Sequence, residues 1–177
     1  QHDGDDPANP NGGVGIDDHI WGGTGTDEIH GQSGNDRLFG QNDDDVVYGE
    51  NGNDYIHGGQ DVDQLFGGAG NDTVHGGSDN DAAYGGNGGD LLSGGNGDDL
   101  LAGGTGNDIA YGGQGRDELF GEAGSDQIFG GLGADVLEGG TGGDLLQGDE
   151  GDDVLRGGAG DDVINAGTGH DNAYGGT

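Results

Sequence analysis

Written in rows of nine from Gly22, the sequence keeps phase for seventeen rows and reaches Tyr174 without an insertion. A short fixed period is the signature of a solenoid, whose units bury their apolar faces only against their neighbours, so it constrains the fold more than any local propensity. The first row reads Gly22, Gly23, Thr24, Gly25, Thr26, Asp27, Glu28, Ile29, His30. Position six is Asp in every row: Asp27, Asp36, Asp45, Asp54, Asp63, Asp72, Asp81, Asp90, Asp99, Asp108, Asp117, Asp126, Asp135, Asp144, Asp153, Asp162 and Asp171. Position one is Gly in sixteen rows, with Ala166 the exception, and position eight is always aliphatic, from Ile29 and Leu38 to Ile164 and Ala173.

Each position has a physical reason. Glycines among the first positions suit tight turns with positive φ or close backbone approach, and Asp at the end of the turn offers a hard oxygen ligand. Positions seven to nine are expected to form a very short strand. Side chains alternate along a strand, so position eight points inward and positions seven and nine point out, which explains why only position eight is invariably aliphatic.

The pattern GGxGxDxUx, with U aliphatic, resembles the RTX, or haemolysin-type calcium-binding, repeat family over residues 22–174. The resemblance implies an all-β chain folded as a right-handed parallel β-roll, a β-helix solenoid with two nonapeptides per coil. Seventeen rows then make about 8.5 coils, with Ca²⁺ held between the turns of neighbouring coils by the position-six aspartates. Residues 1–21, with Pro7, Pro10, Trp21 and an imperfect repeat from Gly12, read as an N-terminal arm or cap, and residues 175–177 begin an incomplete row.

Composition makes the cation a requirement. Only 27% of the 177 residues are hydrophobic and 50 are Gly, so the core is thin and the entropy opposing order is large. With 36 acidic against 3 basic side chains the net charge is −33, and such a chain repels itself. Ladders of nine and eight Asp leave fifteen gaps, and one Ca²⁺ per gap gives about fifteen ions that bring the −33 close to neutrality. Folding and metal binding are therefore expected to be one event. A disordered Gly- and Asp-rich linker does not keep Asp in phase, collagen needs Gly at every third residue, and no twelve-residue EF-hand loop occurs.

Other classes drop out. Arg37, Arg116 and Arg156 are too few to bind nucleic acid or an anionic membrane surface. No apolar run approaches the roughly 18 residues of a membrane span, so no membrane insertion is expected. Cys is absent, which removes disulfides, thiolate sites and a Cys nucleophile, and no GxSxG elbow occurs, so no enzyme is expected.

Departures from the pattern are themselves periodic. Position four is Gly in fourteen rows, and the exceptions Asp43, Asp61 and Asp79 recur every eighteen residues, one coil apart, where they either add ligands or reflect drift within a duplicated unit. Position nine carries aromatic columns: His30, Tyr48, Phe66 and Tyr84 on one edge, and Phe39 below Trp21, with His57 and His75, on the other. Such stripes are either contact surfaces or ordinary β-formers. Two stacked imidazoles alone make a weak transition-metal site. On one edge position three runs Thr24, Asn42, Gln60, Ser78, Asn96, Gln114, Leu132 and Glu150, too irregular to match ice.

The last row lacks an atypical capping repeat, so either the chain is cut from a longer one or another molecule completes the turn, with Gly4, Asp5 and Asp6 able to finish the row that Thr177 leaves open. The expected function is a calcium-binding extracellular structural protein that self-assembles head to tail into filaments or matrix. The alternative is a monomeric Ca²⁺-responsive module of a larger secreted toxin, protease, lipase or adhesin. Secretion follows from calcium supply, since many sites on one flexible chain fill at millimolar levels and not in cytosol.

Overall fold

The computed structural model describes residues 15–177, and the expectations for Gly4, Asp5, Asp6, Pro7 and Pro10 concern residues outside that range. Eighteen strands follow one another with no helix among the described residues, from β1 (His19–Thr24) to β18 (Asn172–Tyr174). The odd-numbered strands form one nine-stranded sheet and the even-numbered strands another. Every pairing is parallel and offset by eighteen residues, so that Trp21 lies opposite Phe39, Phe39 opposite His57, and His30 opposite Tyr48. Successive rows thus alternate between the two sheets, and two rows make one coil of a β-solenoid.

Nine strands on each side make about half a coil more than the rows from Gly22 supply. The addition is β1, which begins at His19 and carries Ile20 into the core at 2% exposure. A single file of side chains from Ile20 to Leu155 fills the interior, and Ile164 packs partly buried against it. Ala173 is exposed, with no described coil above it.

The strands are longer than the three residues expected. β4 (Val46–Asn51), like most others, spans six residues, positions seven to nine and one to three of the next row. The reason lies in the alternation: Val47 at position eight and Gly49 at position one are both buried, with Tyr48 half-buried between them. Position one is therefore a second inward position, occupied by a residue without a side chain.

The bend after each strand is set by backbone conformation. Gly52 at position four has a φ of 136°, a region that L-residues seldom adopt. Asp43, Asp61 and Asp79, which replace Gly there, sit at φ 71°, 69° and 74°, the left-handed region that Asp tolerates best. Gln41 and Glu50 at position two adopt φ 89° and 73°, so two positions per row require positive φ.

The outward columns stack as their register implies. His30, Tyr48, Phe66 and Tyr84 lie nearly parallel at successive centroid distances of 4.8, 4.9 and 5.1 Å. Trp21 stacks on Phe39 at 5.8 Å.

With one buried aliphatic per row, each carries an unusual share of the packing. Leu101→Ala is expected to lower stability by ~2–5 kcal/mol, against well under ~1 kcal/mol for the outward neighbour Leu100→Ala. Thermal unfolding of both variants at saturating Ca²⁺ measures the difference, and equal losses would contradict the single-file core.

Candidate metal centre

The turns hold their backbone N–H groups in a fixed scheme. Position four donates to the position-three carbonyl of the next coil, as Gly52 N does to Ala69 O at 2.8 Å. Position five donates to a side-chain oxygen of the previous coil, as Asn53 does to Asn35 Oδ1 and Asn71 to Asn53 Oδ1, both at 2.8 Å. Position six donates to the aspartate of the next coil: Asp27 N to Asp45 Oδ1 at 2.8 Å, Asp45 N to Asp63 Oδ1 at 2.9 Å, Asp63 N to Asp81 Oδ1 at 2.9 Å. The turns thereby keep these donors satisfied within the chain.

This last ladder joins each of the seventeen position-six aspartates to its neighbours, in two files, one against each sheet end. From Asp27 to Asp153 they are buried, none more than 6% exposed, while Asp162 and Asp171 are half-buried. The ladder also runs one rung further than the sequence reading placed it, since Asp18 N donates to Asp36 Oδ1 at 2.7 Å. Asp18 lies nine residues before Asp27, with Ile20 and Trp21 at positions eight and nine, so the phase itself marked it.

One carboxylate oxygen of each aspartate is thus occupied. The other is not: from Asp36 to Asp162, Oδ2 is buried and has no hydrogen-bond partner. It points at the glycine of position one in its own row. A Cβ on Gly22 would lie 2.8 Å from Asp27 Oδ2 and 2.8 Å from the carbonyl oxygen of Gly40, one coil on. A Cβ on Gly130 would lie 2.5 Å from Asp135 Oδ2 and 2.8 Å from Gly148 O. Glycine at position one therefore opens a small interior space into which a carboxylate oxygen and a carbonyl oxygen of the next coil both face.

Burying these carboxylates raises their affinity for protons. Burial pushes Asp81 up to about 8 and Asp63 and Asp72 to about 7, while the hydrogen bond from the preceding aspartate N–H pulls the other way and neighbouring carboxylates add to the rise. Asp36, Asp45 and Asp99 rise to about 6 from the same leading cause. A buried carboxylate oxygen with no donor needs a proton or a cation, and Lys and Arg together number 3 in this chain.

The donor set is all oxygen, carboxylate plus backbone carbonyl, which suits a hard divalent ion such as Ca²⁺. No three His, Asp or Glu side chains converge on one point among the described residues, so any such site must draw on carbonyls. His57 and His75 stand 6.2 Å apart and tilted by 45°, without a converging carboxylate. Asp43 and Asp61 serve the turns directly: Asp43 Oδ2 accepts from Gly25 N at 2.9 Å and Asp61 Oδ2 from Asp43 N at 3.3 Å.

The profile of the RTX calcium-binding nonapeptide repeat, built as four copies, matches overlapping windows from residues 12–47 to residues 138–173. The chain belongs to the RTX calcium-binding repeat family. Its β-roll is a calcium-binding fold, and the first matched window begins ahead of Gly22, in keeping with the in-phase Asp18 and Ile20. A comparison with curated proteins finds no match.

The aspartate shifts fix the sign of a pH effect. A carboxyl group whose pKa is raised on folding stabilises the metal-free fold below its unfolded value, near 4, and that stabilisation is lost as pH rises through the folded value. In EDTA, β-structure is therefore expected at about pH 4 and its loss as pH rises through the 6 to 8 range of Asp36, Asp63 and Asp81. Far-UV circular dichroism across that range checks it, and a signal independent of pH would contradict the buried ladder.

Proposed function

We propose that this RTX chain is an extracellular structural protein whose roll folds on Ca²⁺, the seventeen position-six aspartates holding about fifteen ions between neighbouring coils. The observation that carries this reading is the file of buried Oδ2 atoms without partners, most of them facing a carbonyl of the next coil across the space left by glycine. Calcium supplies the chemistry of a divalent charge among oxygens. The chain's own residues supply the rest: Asp N–H to Oδ1 bonds fix each carboxylate, position-one glycine leaves room, and position eight keeps water out.

Binding and folding then form one equilibrium, because the ligands of one gap come from two coils, neither ordered alone. A −33 chain resists compaction until ions arrive, which makes the roll a switch set by calcium concentration and places it where calcium is millimolar. The uniform eighteen-residue register favours head-to-tail stacking as well, since each coil presents to the next a surface that a coil of another copy can equally meet.

Circular dichroism and calcium titration calorimetry test the reading. A disordered spectrum in EDTA at pH 7.5, a cooperative gain of β-signal with Ca²⁺ and a stoichiometry near fifteen are expected; a folded EDTA form at that pH would sink it. Asp99→Asn, in mid-file, is expected to lower the stoichiometry by one or two ions and raise the calcium midpoint several-fold, since an amide nitrogen or neutral oxygen replaces Oδ2. Growth of long particles in light scattering, reversed by EDTA, is the outcome expected of head-to-tail stacking.

A further inference from the structure

The two outer faces of the roll differ in charge. Across the nine strands of the odd sheet, from β1 to β17 (Val163–Asn165), the acidic residues are Asp149 and Glu150, both in β15 (Leu145–Glu150). The even sheet carries five glutamates, Glu28, Glu50, Glu118, Glu122 and Glu138. In a chain with 36 carboxylates, a whole sheet face with two is not what uniform solvation requires. The same face also exposes apolar side chains: Tyr111, Leu132 and Val163 are exposed at 44%, 48% and 62%, and Tyr111 stacks on Phe129 at 4.9 Å.

We propose that the outer face of the odd sheet pairs with the same face of a second copy of this chain, sheet on sheet. Charge selects that occupant. Two copies of a strongly acidic chain repel wherever carboxylates meet, and this face is the broad surface on which they can approach without that. The ends of the face are also opposite in character. His19 and Arg37 lie on its first strands, β1 and β3 (Arg37–Asn42), and Asp149 and Glu150 on its eighth. A two-fold pairing that reverses the roll axes brings the basic end of one face over the acidic end of the other.

Size agrees with a stable pair. Nine strands about 4.8 Å apart, seven of six residues and two shorter, at about 3.3 Å per residue, make a face of about 800 Å², and stable complexes cover about 800 Å² per partner. Depletion of charge around aromatic and aliphatic side chains is also the composition of interface centres. The inference rests on the calcium-folded roll proposed above, because only the folded coils align these residues. It differs from head-to-tail stacking in closing at two copies.

Sedimentation velocity of the full chain in saturating Ca²⁺, with circular dichroism on each sample, tests it. A dimer is expected as the smallest species, and any longer particles are expected to grow from it by whole dimers. Leu132→Glu, alone and with Tyr111→Glu, is expected to weaken it at least ~30-fold, while Phe66→Glu with Tyr84→Glu on the even sheet leaves it intact. Glutamate suits these positions, since Glu150 already stands at position three and Glu138 at position nine. A monomer at all concentrations with a calcium-induced β-spectrum would overturn the pairing alone and leave the face to another kind of partner. Equal dissociation by the even-sheet variant, or an open-ended series of species that Leu132→Glu does not shorten, would overturn it too. A parent chain with no calcium-induced spectrum would instead remove the folding reading beneath it.

Discussion

The hydrogen bond from one position-six N–H to the carboxylate of the next coil organises the molecule. It uses one oxygen of a side chain that is buried where the turn re-enters the strand, and so commits the other oxygen to the interior. Buried acceptors without donors are rare in stable proteins, and a file of them along the whole roll is a standing demand for positive charge. Position-one glycine, the thin core and the charge of the chain all suit the proposal that ions between coils, rather than side chains, meet that demand.

Geometry and composition make the same compromise. An inward leucine at position one would thicken the core, but it would occupy the space that Asp Oδ2 and the next coil's carbonyl share. The interior is therefore divided lengthwise: a file of position-eight side chains at the centre and two files of carboxylates at the bends. Hydrophobic burial alone is too small here to order so many glycines, and ion binding alone would leave the coils without a register. Each supplies what the other lacks.

Surface and interior obey different rules. Inside, a departure from the pattern must keep positive φ, which is why Asp43, Asp61 and Asp79 appear where a glycine would stand, and Asp43 and Asp61 use their carboxylates on neighbouring turns. Outside, the strand positions are free to vary: both sheets carry aromatic residues, while one holds two acidic residues and the other five glutamates. A regular fold can thus carry two chemically distinct faces at no cost to its repeat.

The sequence by itself determined the period, the inward file at position eight and the aspartates at the turns, because a repeat kept in phase leaves each residue only one class of neighbour, while the parallel stacking two rows to a coil was implied by the resemblance to the RTX family. Asp18 and Ile20 were legible by the same phase, although Pro7, Pro10 and Trp21 drew attention to a boundary three residues later. Tertiary structure alone decided that position one is a second inward site, that strands run six residues rather than three, and which carboxylate oxygen is satisfied. Those depend on how one coil sits over the next, and a pattern of residue types along the chain holds no distance between coils.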